Sequence, residues 1–309
     1  MTEHSAGLAR AYFSLQAGLA TAWYVALFLH DGTRAATLGD VDPRILIVPD
    51  ILLFTLPSLL AARLAPGSRA LRISLAALLG YIALMVIFFG WRSLDGGRGA
   101  WGVISMSLAF TGSVLAGTRL ALGPLGAGLT FPPALRIRPA GEGSAARHLF
   151  RTLVQIVVFW GLFLGIFPWA IAVLEARWNL RWPPLVGSGF SIAGWIIFVT
   201  MGAIGLWSSV EMVLRGRGTP LPSEAARRLV TTGPYSVVRN PMAVSGILQG
   251  VGIGMVHGSW LAIAYAVTGS FVWNILARPY EEADMVERFG SDFEEYRRRV
   301  RCWIPWFGC

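Results

Sequence analysis

A chain of 309 residues with 55% hydrophobic and only 14% charged side chains cannot cover a water-facing surface. A soluble domain is excluded and a polytopic membrane protein is expected. The net charge of +9 comes from Arg alone, with no Lys in the sequence, and in such a chain it points to Arg-rich cytoplasmic loops beside anionic lipid rather than to nucleic acid.

A transmembrane helix needs about 20 mainly apolar residues, and about eight segments qualify. In chain order they cover roughly Leu8–His30, Ile45–Leu64, Ala70–Trp91, Gly99–Gly123, His148–Ala176, Ser188–Leu214, Pro241–Val256 and Gly258–Ala277. The last two, joined at His257-Gly258-Ser259, predict a tight helical hairpin. Asp50 stands a few residues inside the second span, where an acid is a functional candidate by default. Its shallow depth predicts a partner Arg or interfacial water. The connector at residues 124–147, rich in Pro, Gly and Arg, separates a front region (1–123) from a rear region (148–309).

Loops after the second, fourth and sixth segments are basic, as is the C-terminal tail, while the intervening loops mix Arg with Asp and Glu. That alternation predicts both termini in the cytoplasm, in a bacterial inner membrane. The expected fold class is all-α, with about eight transmembrane helices and a C-terminal amphipathic cytoplasmic helix. That helix is read from Glu281, Met285, Arg288, Phe289, Phe293, Tyr296 and Val300, which recur at helical spacing. The two cysteines, Cys302 and Cys309, lie in the tail, and the four histidines are scattered, so no metal site is expected.

Chemistry-bearing residues gather at two places. Gly233-Pro234-Tyr235 forms a turn before the seventh segment, whose mouth carries Arg239, Asn240 and Pro241. Pro241 suits the first helical turn and Asn240 suits the N-cap, so a turn and a cap alone account for these residues. The second cluster, Arg278, Glu281 and Glu282, follows the eighth segment on one helical face. A hairpin would bring both clusters to one membrane surface. Carboxylates, Arg, helix N-terminal amides and aromatic surface together suit a zwitterionic amino-acid-like headgroup.

At these residues the chain resembles the isoprenylcysteine carboxyl methyltransferase and phospholipid methyltransferase superfamily. The resemblance covers about the last quarter of the sequence. It runs through Gly233-Pro234-Tyr235, Arg239-Asn240-Pro241-Met242, Glu281-Glu282, Phe289-Gly290 and Trp303-Ile304-Pro305. It implies S-adenosylmethionine as cofactor and a lipophilic acceptor that enters from the membrane lipids. Leu229, Val230 and Tyr235 would line the cofactor, Asn240, Pro241 and Met242 would hold its amino-acid end, and Glu281 would contact the same headgroup. Arg278 and Glu282 are the candidate catalytic residues on chemical grounds, the first to orient a carboxylate acceptor, the second, alternatively, as base for an amine. The chain departs from the family pattern at Asn240 (usually His), Ala243 (usually Tyr) and Arg301 (often Pro). Arg278 falls one position after the usual Arg, a place taken here by Ala277. A rival expectation is a non-catalytic lipid-binding or assembly protein, for which Ala243 and Ala277 speak. A sterol-reductase relative is the third.

Overall fold

The computed structural model describes residues 3–122, 137, 140, 145–219 and 224–303, so most of the expected connector lies outside the described residues. Two compact units emerge, residues 1–127 with Arg177–Asn179, and residues 128–176 with 180–309.

The first unit contains α1 (Glu3–Leu29), the short α2 (Asp31–Thr37), α3 (Pro43–Asp50), α4 (Leu56–Arg63), α5 (Arg69–Arg92) and α6 (Ala100–Leu122). Asp42 and Ser68 start α3 and α5 by accepting from the amides of Arg44 (2.9 Å) and Leu71 (3.2 Å), which satisfies orphan donors at the helix starts. A π-helical turn, Ile51–Thr55, joins α3 to α4. Phe13, Leu71, Leu78, Ile82 and Leu120 form the core, while Leu8, Leu15, Ile73 and Ile87 point outward. Apolar residues on both the inner and the outer face are what a helix surrounded by lipid requires. Asp50 is buried, and its side-chain partners among the described residues are the hydroxyls of Tyr24 and Tyr81 rather than an Arg. The two phenols reach it from α1 and α5, a pairing between helices that a single-strand hydropathy pattern does not encode.

In the second unit, α7 (Ala145–Trp160), a π turn (Gly161–Ile166) and α8 (Phe167–Arg177) lead into α9 (Ser188–Leu214). Then follow α10 (Pro241–Val256) and α11 (Trp260–Val272), and a π turn (Trp273–Ala277) passes into α12 (Arg278–Arg299). Among the described residues seven helices are long and apolar enough to cross a membrane, counting α11 to α12 as one of 40 residues. The expected seventh span is present as α10, but its 16 residues fall short of that length.

The expected hairpin is α10 and α11. Its turn is pinned by Glu175, fully buried, whose Oε2 accepts from the Ser259 hydroxyl (2.5 Å) and the Leu261 amide (3.0 Å). Ser259 in turn caps α11 through the Ala262 amide at 3.1 Å. A carboxylate at a helix N-terminus is favoured by the free amides and the dipole there. α10 also lies against α9 with almost no side chain between the two backbones. A Cβ added to Gly194 would stand 2.5 Å from the Gly252 carbonyl oxygen, and one on Gly252 would stand 2.7 Å from that of Gly194. Close approach of small residues is how helices associate where burial gives no driving force. It also sets the Asn240 end of α10 beside the Met212 end of α9.

The amphipathic helix departs from the straight five turns the sequence suggests. Gly290 adopts φ 50° and ψ −125°, and α12 bends there. Phe293 and Tyr296, beyond the bend, turn inward and are buried.

Candidate functional site

Arg239 gathers the site. Its backbone amide donates to the Arg301 carbonyl (2.8 Å), its Nη1 to the carbonyls of Val300 (2.8 Å) and Arg297 (3.2 Å), and its Nη2 to Glu282 Oε1 (2.7 Å). One planar guanidinium thus ties the turn before α10 to both the beginning and the end of α12. A second tie runs from the Tyr296 hydroxyl to the Tyr235 carbonyl at 2.6 Å. Arg288 makes a third, from Nε to Asp284 (2.6 Å) and from Nη1 to the Ala226 carbonyl (2.5 Å).

The turn at Gly233 needs its glycine. Its φ is +59°, and a Cβ there would meet Glu211 Cγ at 3.0 Å. Glu211 itself holds Thr232 (2.8 Å) and Arg215 (2.7 Å). Asn240 caps α10 as expected, its Oδ1 accepting from the Ala243 amide at 3.0 Å. That bond commits the side-chain oxygen and leaves the amide NH2 as the group able to meet a ligand.

These elements border a cavity of about 350 Å³, lined by Met212, Tyr235, Asn240, Ala243, Trp273 and Glu281 among others, and a smaller pocket of about 70 Å³ that shares several of those walls. The smaller pocket adds Val230, Arg278, Glu282 and Cys302. Of the residues named from sequence, Val230, Tyr235, Asn240, Met242, Arg278, Glu281 and Glu282 therefore come together on these two cavities. Leu229 and Pro241 stand beside them without lining either: Pro241 is buried at the first position of α10, and Leu229 is half-buried next to Val230.

Burial pushes the Glu281 carboxyl up to about 7, with the negative charges of Glu282 and Asp284 adding to it and a hydrogen bond with Trp273 opposing. Burial likewise raises the Tyr235 phenol, which stays protonated. It also raises the Cys302 thiol, although Arg239 and Arg278 lie nearby and Arg278 hydrogen-bonds it. Glu282 pairs with Arg239, not with Arg278. The Arg278 Nε is buried and has no hydrogen-bond partner.

Sequence reasoning passed over Met212 and Trp273, although Glu211 and Asn274 stand directly beside them. The π turn re-aims Trp273 to the cavity wall, where it meets Trp303 edge-on with ring centres 5.1 Å apart. Trp303 is fixed by its own bond to Asn274 Oδ1 at 2.8 Å. Single π turns often mark functional positions.

The donor set fits a zwitterionic, amino-acid-like headgroup. Glu281 can face an ammonium and the Asn240 amide NH2 the carboxylate of the same ligand, while the orphaned Arg278 Nε is free to face a second acidic group. Aromatic walls from Tyr235 and Trp273 suit a cation and a flat ring.

Residues 189–292 match the family model described as phospholipid methyltransferase. The nickel-cobalt-cadmium resistance protein NccN of Alcaligenes xylosoxydans xylosoxydans is 26% identical over 173 residues, covering 55% of this chain and 74% of that protein. Protein-S-isoprenylcysteine O-methyltransferase B of Arabidopsis thaliana is 35% identical over 85 residues, covering 26% of this chain and 42% of the plant protein. The matched family region contains Glu211, the Gly233 turn, the Asn240 cap, Trp273 and the Arg278–Glu282 segment. It is the C-terminal part, residues 189–292, in which the chain resembles the phospholipid methyltransferase family.

Proposed function

We propose that this membrane methyltransferase takes its methyl group from S-adenosylmethionine and delivers it to a lipophilic acceptor, with a carboxylate favoured over an amine. The observation that carries this is the orphaned Arg278 Nε, buried on the same small pocket as Glu281. An unpaired guanidinium nitrogen in a closed site is costly until an anion meets it. S-adenosylmethionine would supply an electrophilic methyl group on a positively charged sulfur.

The protein's part is placement and exclusion of water. Glu281 would hold the donor's ammonium and the Asn240 amide NH2 its carboxylate end, while Tyr235 and Trp273 wall the cavity. Arg278 would hold the acceptor's acidic group, which is ionised at neutral pH and needs no base. Glu282, already bound to Arg239, is better placed to support the fold of the site than to take a proton from an amine. Ala243 borders the larger cavity, and its small side chain leaves room where the family usually carries Tyr.

Calorimetric titration of the protein in lipid nanodiscs tests this, with S-adenosylmethionine in one arm and a nicotinamide dinucleotide in the other. Saturable heat with S-adenosylmethionine alone is the expected result. Heat with the dinucleotide alone would favour a reductase, and heat with neither a non-catalytic lipid-binding protein.

A further inference from the structure

The first unit contains a chemical feature that the methyl-transfer site does not use. Between α1 and α6 lies a cavity of about 460 Å³, within the range of about 300–1,000 Å³ typical of small-molecule pockets. Leu15, Leu19 and Leu108 line it and are also 61%, 60% and 60% exposed. Its rim is therefore on the outward apolar surface, which in a span faces lipid.

The inner wall carries Asp50, only 4% exposed. Its two carboxylate oxygens accept from the hydroxyls of Tyr24 and Tyr81. Both partners are neutral, so the pair of bonds stabilises the carboxylate without neutralising it, and an acid at this depth is costly while its charge is uncompensated. A carboxylate offers about four lone-pair sites and the phenols occupy two. Immediately after Asp50 the helix widens into the π turn Ile51–Thr55, with Pro49 one residue before. Such a turn in an otherwise continuous span shifts the side chains around it and recurs at ligand sites. Phe54, within that turn, lines the cavity together with Trp23 and Tyr24. Aromatic faces around a buried carboxylate attract a cation and reward one that sheds its water easily. The remaining walls are mostly apolar, with Tyr12, Gln16, Thr37 and Ser105 as the further polar side chains.

We propose that the N-terminal unit binds a membrane-dissolved lipophilic ammonium ion, its nitrogen set against Asp50 and its apolar body in the cavity between α1 and α6. An anion is repelled by Asp50. A neutral alcohol fills the cavity but leaves the carboxylate uncompensated.

The test uses the full chain in zwitterionic nanodiscs and radiolabelled dodecyltrimethylammonium, with empty nanodiscs measuring partition into lipid. Saturable binding above that background is expected, competed by dodecylamine and not by dodecanol or dodecanoate. Asp50→Asn keeps the shape of the side chain and should weaken binding at least tenfold. Leu19→Trp, on the lipid-facing rim, should block the cavity and weaken binding comparably without touching Asp50. If the Asn variant does not fold, the Trp variant decides alone. Binding no greater than in empty nanodiscs, equal competition by dodecanol, or unchanged affinity in the folded variants would overturn the proposal. Every residue involved lies in the first unit, so each of these outcomes leaves the methyl-transfer assignment standing.

Discussion

The carboxyl of Glu281 sits near the midpoint of its titration at neutral pH, because burial and two neighbouring acids resist its charge. A raised acid of this kind favours the protonated state up to about 7, so a ligand ammonium that needs the carboxylate must displace that proton below this pH. S-adenosylmethionine affinity should then rise from about pH 6 to about pH 8 by roughly tenfold, and level off above. Glu281→Gln should flatten that profile and lower affinity at high pH by roughly ten- to a hundredfold, about 1.5–3 kcal/mol for one charge-assisted bond. Titration calorimetry at three pH values reads both effects, and an unchanged profile in the Gln variant would remove Glu281 from the site. Arg278 is the complementary case. Arg278→Lys keeps the charge and loses the planar fork, so turnover should fall by an order of magnitude or more, roughly the cost of one bidentate contact, with donor affinity almost unchanged. Full turnover in the Lys variant would discard the acceptor role.

At the scale of elements, the decisive feature is the bend in α12. With φ 50° and ψ −125°, Gly290 occupies backbone space open essentially to glycine alone. Gly290→Ala should cost about 1–3 kcal/mol and loosen the segment that Arg239 and Tyr296 hold down. Faster tryptic cleavage within Arg297–Arg301 would report it; equal cleavage rates would mean that the bend survives a Cβ. The sequence pattern had shown amphipathic spacing through Phe293 and Tyr296, and the position of the Asn240 cap, because these depend on local periodicity and local turn chemistry. It could not show the bend, since the spacing carries on across Gly290 without a break. Nor could it show that Glu282 belongs to Arg239. That pair joins residues 43 apart in sequence, whereas the neighbouring Arg278 lay on the same helical face and looked the simpler partner. Met212 and Trp273 were hidden for a different reason: in helices that are largely apolar, one apolar wall residue reads like any other. Asn240, by contrast, announced itself by standing before Pro241, and the structure gives it the capping bond that this order implies.

At the scale of the whole molecule, the alternation of Arg-rich and mixed loops is the basis for orientation. Reporter fusions at Pro139 and Arg217 should both report a cytoplasmic location, and an external signal from either would refute the topology. A second consequence comes from the hairpin. α10 has 16 residues, hence a length of about 24 Å, against a hydrocarbon layer of about 30 Å. With its far end fixed by Glu175 and Ser259, the mouth of the site must either sink several ångströms beneath the headgroups or draw the bilayer thinner around it. Mismatch of this kind costs fractions of a kcal/mol per ångström, and the penalty grows with acyl chain length. Methyl transfer should therefore be faster in palmitoleoyl than in erucoyl lipid at equal acceptor density, while donor binding stays the same in both. Equal turnover would show that the hairpin does not set the depth of the site; a difference would make membrane thickness itself a control on the rate.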